Sequence, residues 1–140
     1  MIRNRASLFA STILLLISSG CARNEMKPVD IFAEDNCANC RMAISDKHFA
    51  SEIILQNGEA VKFDDLACLE QYRSKNPAIK IGAVFVSDYE TGRWLPYDKS
   101  VIVRTGIQTP MGSGKIAVPD SNKAKTLEAK YPPAAGSVHQ

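Results

Sequence analysis

Residues 51–77 read SEIILQNGEAVKFDDLACLEQYRSKNP, and this stretch sets the architecture of the chain. SEIIL runs apolar into QNGEA, where Asn57-Gly58 is a strong hairpin signal because both residues tolerate a positive φ. AVKF follows as the returning strand, paired with SEIIL. Asp64 and Asp65 then open a helix. A short acid accepts hydrogen bonds from the free N–H groups of a first turn and complements the positive end of the helix dipole. Leu66, Leu69 and Tyr72, with Cys68, form the buried face. Lys75 falls in the last turn and Pro77 stops the helix.

The same reading extends outward. CRMAIS (40–45) alternates and reads as a strand ahead of the hairpin. GAVFVSDY (82–89), SVIVRT (100–105) and GKIAV (114–118) read as further strands. DSNKAKTLEAKY (120–131) reads as a second helix, capped at Asp120 or Ser121 and ended by Pro132. The segments 65–77 and 120–132 have equal length, with Tyr72 matching Leu127 and Lys75 matching Lys130. Each follows a strand that follows a Gly-containing turn. The expected fold is α+β: a small domain of two similar strand–strand–helix halves of ββαβ type.

The N-terminus is of a different kind. Arg3 and Arg5 precede an apolar run, Leu8–Ile17, which is too short for a bilayer span of about 20 residues. Basic residues, a short apolar run and small residues before a cut read as a secretory signal, here 1–20. SSGC (18–21) resembles the bacterial lipobox, which implies cleavage before Cys21 and its lipidation. Ser18 stands where that motif usually has Leu. Ala22 after the cysteine, where an Asp would favour retention, implies the outer membrane, facing the periplasm. Residues 21–30 read as a lipidated tether, 31–132 as the folded domain and 133–140 as a loose tail. The chain has 17 Lys+Arg and 15 Asp+Glu, so loss of Arg3 and Arg5 leaves 15 against 15. Neutral overall and without a dense basic run, it makes no electrostatic case for nucleic acid.

The chemistry centres on DNCANCRM (35–42). Cys37-x-x-Cys40 has the spacing of a zinc half-site, but a structural zinc site needs a second pair. Cys68, His48 and His139 are scattered. An oxidising compartment permits a disulfide or a redox dithiol using Cys37 and Cys40, although no thioredoxin-like βαβ unit surrounds them. A soft-metal site is the third reading, since thiolate and thioether ligands select Cu(I), which accepts few ligands. On a strand, Met42 would share a face with Cys40, about 7 Å away. Met111 lies in the polar, Gly-rich TPMGSG, not in an apolar run where methionine fills a core.

Two stretches carry a family resemblance: DNCANCRMAISDKHFASEIILQNGEAVKFDDLACLEQY (35–72) and TPMGSGKIAVPDSNKAKTLEAKYP (109–132). They resemble the NosL family of nitrous oxide reductase accessory lipoproteins, with its C-x-x-C-G-M-type start, FDD before a helix and Met-Gly loop. Arg41 departs from that pattern, standing where the family usually has Gly. The resemblance implies a Cu(I)-binding metallochaperone, not an enzyme, whose fold is similar to part of organomercurial lyase. It implies delivery of copper to nitrous oxide reductase or to the transporter that assembles it. The residues it carries over are Cys40, Met42 and Met111, with Cys37 beside them. Asp64 and Asp65 read as cap and turn, with metal contact or partner docking as the alternative for one of them, His48 as exposed, Trp94 as a half-buried anchor or docking residue, and Cys68 as a small core residue. No Ser-His-Asp set or phosphate loop is visible.

Overall fold

The computed structural model describes residues 25–133. The expected signal peptide, the lipidation residue Cys21, His139 and all but the first residue of the expected tail lie outside the described residues.

The hairpin forms as its sequence dictates. β1 (Ser51–Leu55) and β2 (Ala60–Phe63) pair antiparallel with Ile53 opposite Val61, and Gly58 turns the chain at φ 88°. α1 (Leu66–Lys75) follows at once. Asp65 caps it, its side chain accepting from Ala67 N, and Leu66, Cys68 and Leu69 are buried. β3 (Ile81–Ser87) returns beside β1. β4 (Trp94–Pro96) then adds an edge strand, giving the sheet order β2-β1-β3-β4. Sequence reading missed β4, a three-residue strand ending in proline, which an edge tolerates.

The second half repeats the pattern. β5 (Val101–Arg104) and β6 (Lys115–Val118) form a two-stranded antiparallel sheet, followed by α2 (Ser121–Lys130), capped by Asp120. Both helices have ten residues and stop on an aspartate-capped register with matching ends: Asn76 at φ −125°, ψ 63° and Tyr131 at φ −130°, ψ 71°. The fold is thus α+β with two strand–strand–helix units, as the sequence implied.

Ile53, Phe63, Leu69 and Val86 build the larger core together with Cys37 and Cys68. Ile116, Val118, Ala124 and Leu127 build a smaller one under α2. Each fully buried aliphatic side chain contributes about 1.5–3 kcal/mol. A parallel bridge between Asp88 and Ala117 joins the two units.

One expected element is absent. CRMAIS forms no strand; a single bridge, Asn36 to Ala43, closes a tight turn over 38–40. Arg41 N donates to Cys37 O at 2.9 Å, Cys37 N donates to Met42 O at 2.8 Å, and Arg41 sits at φ 68°. The apolar alternation that suggests a strand here instead points Cys37 and Ile44 into the core, both buried, on either side of a reversal.

The expected tether also bears on the body. In 25–30 the chain has no regular structure, yet Val29 N donates to Glu52 Oε1 at 2.7 Å and Lys62 Nζ donates to Asp30 O at 2.8 Å. A side chain at Gly82 of β3 would overlap the Met26 sulfur.

Candidate metal centre

The N-terminus of α1 is where the candidate residues meet. The end of β2 delivers Phe63 into the core, so the next two residues, Asp64 and Asp65, enter the interior as well, at 2% and 0% exposure. They do different work. Asp65 Oδ1 takes Ala67 N at 2.8 Å as the helix cap and Ser113 Oγ at 2.7 Å. Its Oδ2 takes Thr109 Oγ at 2.7 Å and Met111 N at 2.9 Å. One buried carboxylate therefore accepts four hydrogen bonds and ties the Met111 loop of the second unit to the first helix of the first. The loop itself is held tight by Gly114, where a Cβ would strike the Thr105 carbonyl.

Asp64 caps nothing. Its oxygens lie 3.5 and 3.6 Å from Cys40 Sγ. Cys37 Sγ, Cys40 Sγ, Cys68 Sγ and one Asp64 oxygen all lie within 4.8 Å of one another. Three segments converge to make this set. The 37–40 turn is pinned to β2 by Ala38 N donating to Lys62 O at 2.9 Å. Asn39 pins it to α1, donating to Gln71 Oε1 at 3.0 Å and accepting from Lys75 Nζ at 3.2 Å. Cys68 projects from the first turn of α1, four residues after Asp64. All three cysteines are unpaired thiols.

Exposure grades the donors. Cys37 and Cys68 are fully buried and Cys40 is half-buried, while Met42 and Met111 are 53% and 42% exposed. Burial pushes the Cys40 thiol up, and Cys37 and Asp64 beside it act in the same direction. Burial raises the Cys68 thiol further, again with Asp64 and Cys37 contributing. A thiol with a buried carboxylate beside it loses its proton reluctantly unless a cation takes its place.

Of the residues expected at a metal site, the structure thus gathers Cys37 and Cys40 into one cluster and docks the Met111 loop on the neighbouring aspartate. Met42 follows on the exposed arm of the turn, not on a strand face shared with Cys40. Cys68, read from sequence as core, is core and cluster member at once. Asp64, expected as cap or turn or else as a metal contact, lies in the bend before the helix, leaves the cap to Asp65 and faces the thiols. The available signal for both was their i, i+4 spacing at a helix start, which puts two side chains on one face. His48 lies apart, half-exposed, its Nδ1 2.9 Å from Asp46 Oδ1. Trp94 is half-buried in β4 with its ring nitrogen unpartnered.

Fold and site together define a small α+β domain with a cluster of three thiols and a carboxylate at a helix N-terminus. The chain belongs to the NosL family, whose sequence model matches residues 28–132. No curated protein sequence matches it. Among solved structures, the fold is that of the copper chaperone NosL from Shewanella denitrificans: TM-score 0.69 at 14% identity, covering 82% of this chain and 97% of that one.

Proposed function

We propose that this protein is a lipid-anchored carrier of Cu(I) that binds the ion through Cys40, Met42 and Met111, with Cys37 beside them, and delivers it to a copper enzyme. Membership of the NosL family and likeness to a solved copper chaperone support the cargo. The recipient is nitrous oxide reductase or its assembly transporter, and the anchor is Cys21 at the outer membrane, facing the periplasm.

The observation that carries the reading is a pair of exposed methionines, Met42 on the turn that carries the half-buried Cys40 and Met111 on the loop hydrogen-bonded to Asp65. Exposed methionine in polar surroundings wins nothing from the hydrophobic effect, whereas a neutral, soft sulfur binds Cu(I) without competing with protons. A carrier must also give up its cargo, and donors at the surface allow a partner's ligands to replace them one at a time. The thiol–disulfide alternative using Cys37 and Cys40 is disfavoured by the same geometry. Redox-active thiols are held low by a positive surrounding; Cys40 is held high by burial and an adjacent carboxylate.

A competition titration against a Cu(I) chelator tests the proposal. The reduced protein takes up one Cu(I). Met111→Leu, volume-conserving and worth under about 1.5 kcal/mol of stability, weakens uptake severalfold. Cys40→Ser weakens it by at least about tenfold more, since hydroxyl is a poor ligand for a soft ion. Wild-type affinity in Met111→Leu, with loss of a reversible dithiol couple in Cys37→Ser and Cys40→Ser, would replace the carrier reading by the redox one.

A further inference from the structure

Asp64 is almost fully buried, and the partners of its carboxylate among the described residues are thiols. Thiols are weak donors, so the group loses most of its hydration with little return. Its neighbour Asp65, equally buried, accepts four strong hydrogen bonds. The contrast shows that this fold can satisfy a carboxylate at this depth and leaves Asp64 poorly satisfied, facing three sulfurs. The three sulfurs and this carboxylate are thus held in one cluster whose donor atoms are close enough together to share a metal ion.

The spacing suits one. A first-row ion that holds sulfur at about 2.3 Å in a trigonal plane sets its donors about 4 Å apart. Cys37, Cys40 and Cys68 Sγ atoms already lie within 4.8 Å of one another.

Building on the copper reading above, we propose that Cys37, Cys40 and Cys68 form an inner tri-thiolate position for the Cu(I) ion, beneath the outer position at Met42 and Met111, with Cys40 common to both. Moving inward, the ion exchanges Cu–S(thioether) bonds for Cu–S(thiolate) bonds to Cys37 and Cys68. Two thiol protons leave to solvent, and copper stays Cu(I) throughout. Asp64 accepts the Cys40 S–H and so holds that thiol in the cluster; it stays outside the ligand set, since a carboxylate is a poor ligand for so soft an ion. The inner position retains the ion and the outer one exposes it for exchange.

The experiment uses the reduced mature chain, loaded from a Cu(I)–chelator complex. It reads the ultraviolet Cu(I)–thiolate absorption, which scales with the number of bound thiolates, together with affinity and the rate of release to excess chelator. Met42→Leu with Met111→Leu weakens affinity severalfold, as Met111→Leu alone does, yet the loaded variant keeps the full thiolate absorption because the inner thiolates still hold the ion. Cys68→Ser loses about a third of the absorption and at least about tenfold in affinity, because one of three soft thiolates is gone. Wild-type absorption and affinity in Cys68→Ser would overturn the inner position. So would failure of the double methionine variant to hold copper, and that arm still decides if Cys68→Ser does not fold. A wild-type chain that takes up no Cu(I) would instead refute the carrier reading on which this rests.

Discussion

Arg41 carries a cost that the rest of the turn imposes on it. Its φ of 68° lies in the left-handed region, which costs an L-residue about 1–2 kcal/mol through the clash of Cβ with the following carbonyl. The reason is local: the chain must reverse between Cys37 and Met42 so that Cys37 N reaches Met42 O. Glycine, the residue usual here in the family, takes that conformation freely. It also adds about 0.5–1 kcal/mol of unfolded-chain entropy, which offsets about half of that gain. Arg41→Gly is therefore expected to stabilise the protein by about 0.5–1 kcal/mol, a rise of a few degrees in Tm for a domain of this size. Thermal unfolding followed by circular dichroism checks it; a lower Tm would mean that the exposed arginine makes compensating contacts.

β1 is sandwiched, and its pattern shows it. A strand with one wet face alternates, but Ser51, Glu52, Ile53 and Ile54 are all buried. The face bearing Glu52 is covered by the N-terminal stretch, through Val29 N on Glu52 Oε1. Its second oxygen has no partner. Burial lifts the Glu52 carboxyl to about 7, against the opposing pull of the Val29 N–H and Lys62, and Asp30 and Asp35 add to the rise. The folded state thus holds this proton more tightly than the unfolded chain does. The associated stability is complete below the ordinary glutamate range and is lost as pH rises from about 4.5 towards 7, up to about 3 kcal/mol at 1.36 kcal/mol per unit. Glu52→Gln keeps an acceptor for Val29 N and cannot ionise. Denaturant unfolding across pH 5 to 8 should show wild type losing stability relative to Glu52→Gln as pH rises. Parallel profiles would mean that the covering segment lifts off and lets water reach the carboxylate.

The covering segment links the domain to its surroundings. From Met26 over Gly82 in β3, past Glu52 in β1, to Asp30 beside Lys62 in β2, the chain runs across the sheet towards the Cys37 turn. Lipidation of Cys21, as proposed, would leave four residues between the anchor and Met26, a span of five chain steps reaching at most about 18 Å. The domain would then ride close to the membrane and present its metal centre from a restricted range of orientations. Cys21→Ala should move the protein from the membrane to the soluble fraction, because the acyl chains supply the affinity. Fractionation of wild type and variant with the same distribution would refute the anchor.

The hairpin, both helices and their caps were legible in the residues because each rests on interactions a few positions apart: Asn57-Gly58 at a turn, Asp65 and Asp120 at helix starts, Pro77 and Pro132 beyond helix ends. The doubled strand–strand–helix pattern was legible for the same reason. The centre was half legible. Cys37, Cys40 and Met111 stood out by type and setting, and family resemblance supplied their chemistry. Contacts between residues far apart in the chain settled the remainder. Cys68 reads as an ordinary apolar position on α1 until packing swings the 37–40 turn against that helix. Asp64 reads as a cap until Asp65 takes the cap and the Met111 loop, leaving its neighbour to face the thiols. CRMAIS alternates like a strand, yet the chain reverses at Arg41 and pairs back on itself through the Asn36–Ala43 bridge, with Cys37 and Ile44 both turned into the core. Short-range patterns choose elements; which of them meet, and which side chains are shut away together, follows from the free energy of burying one shared core.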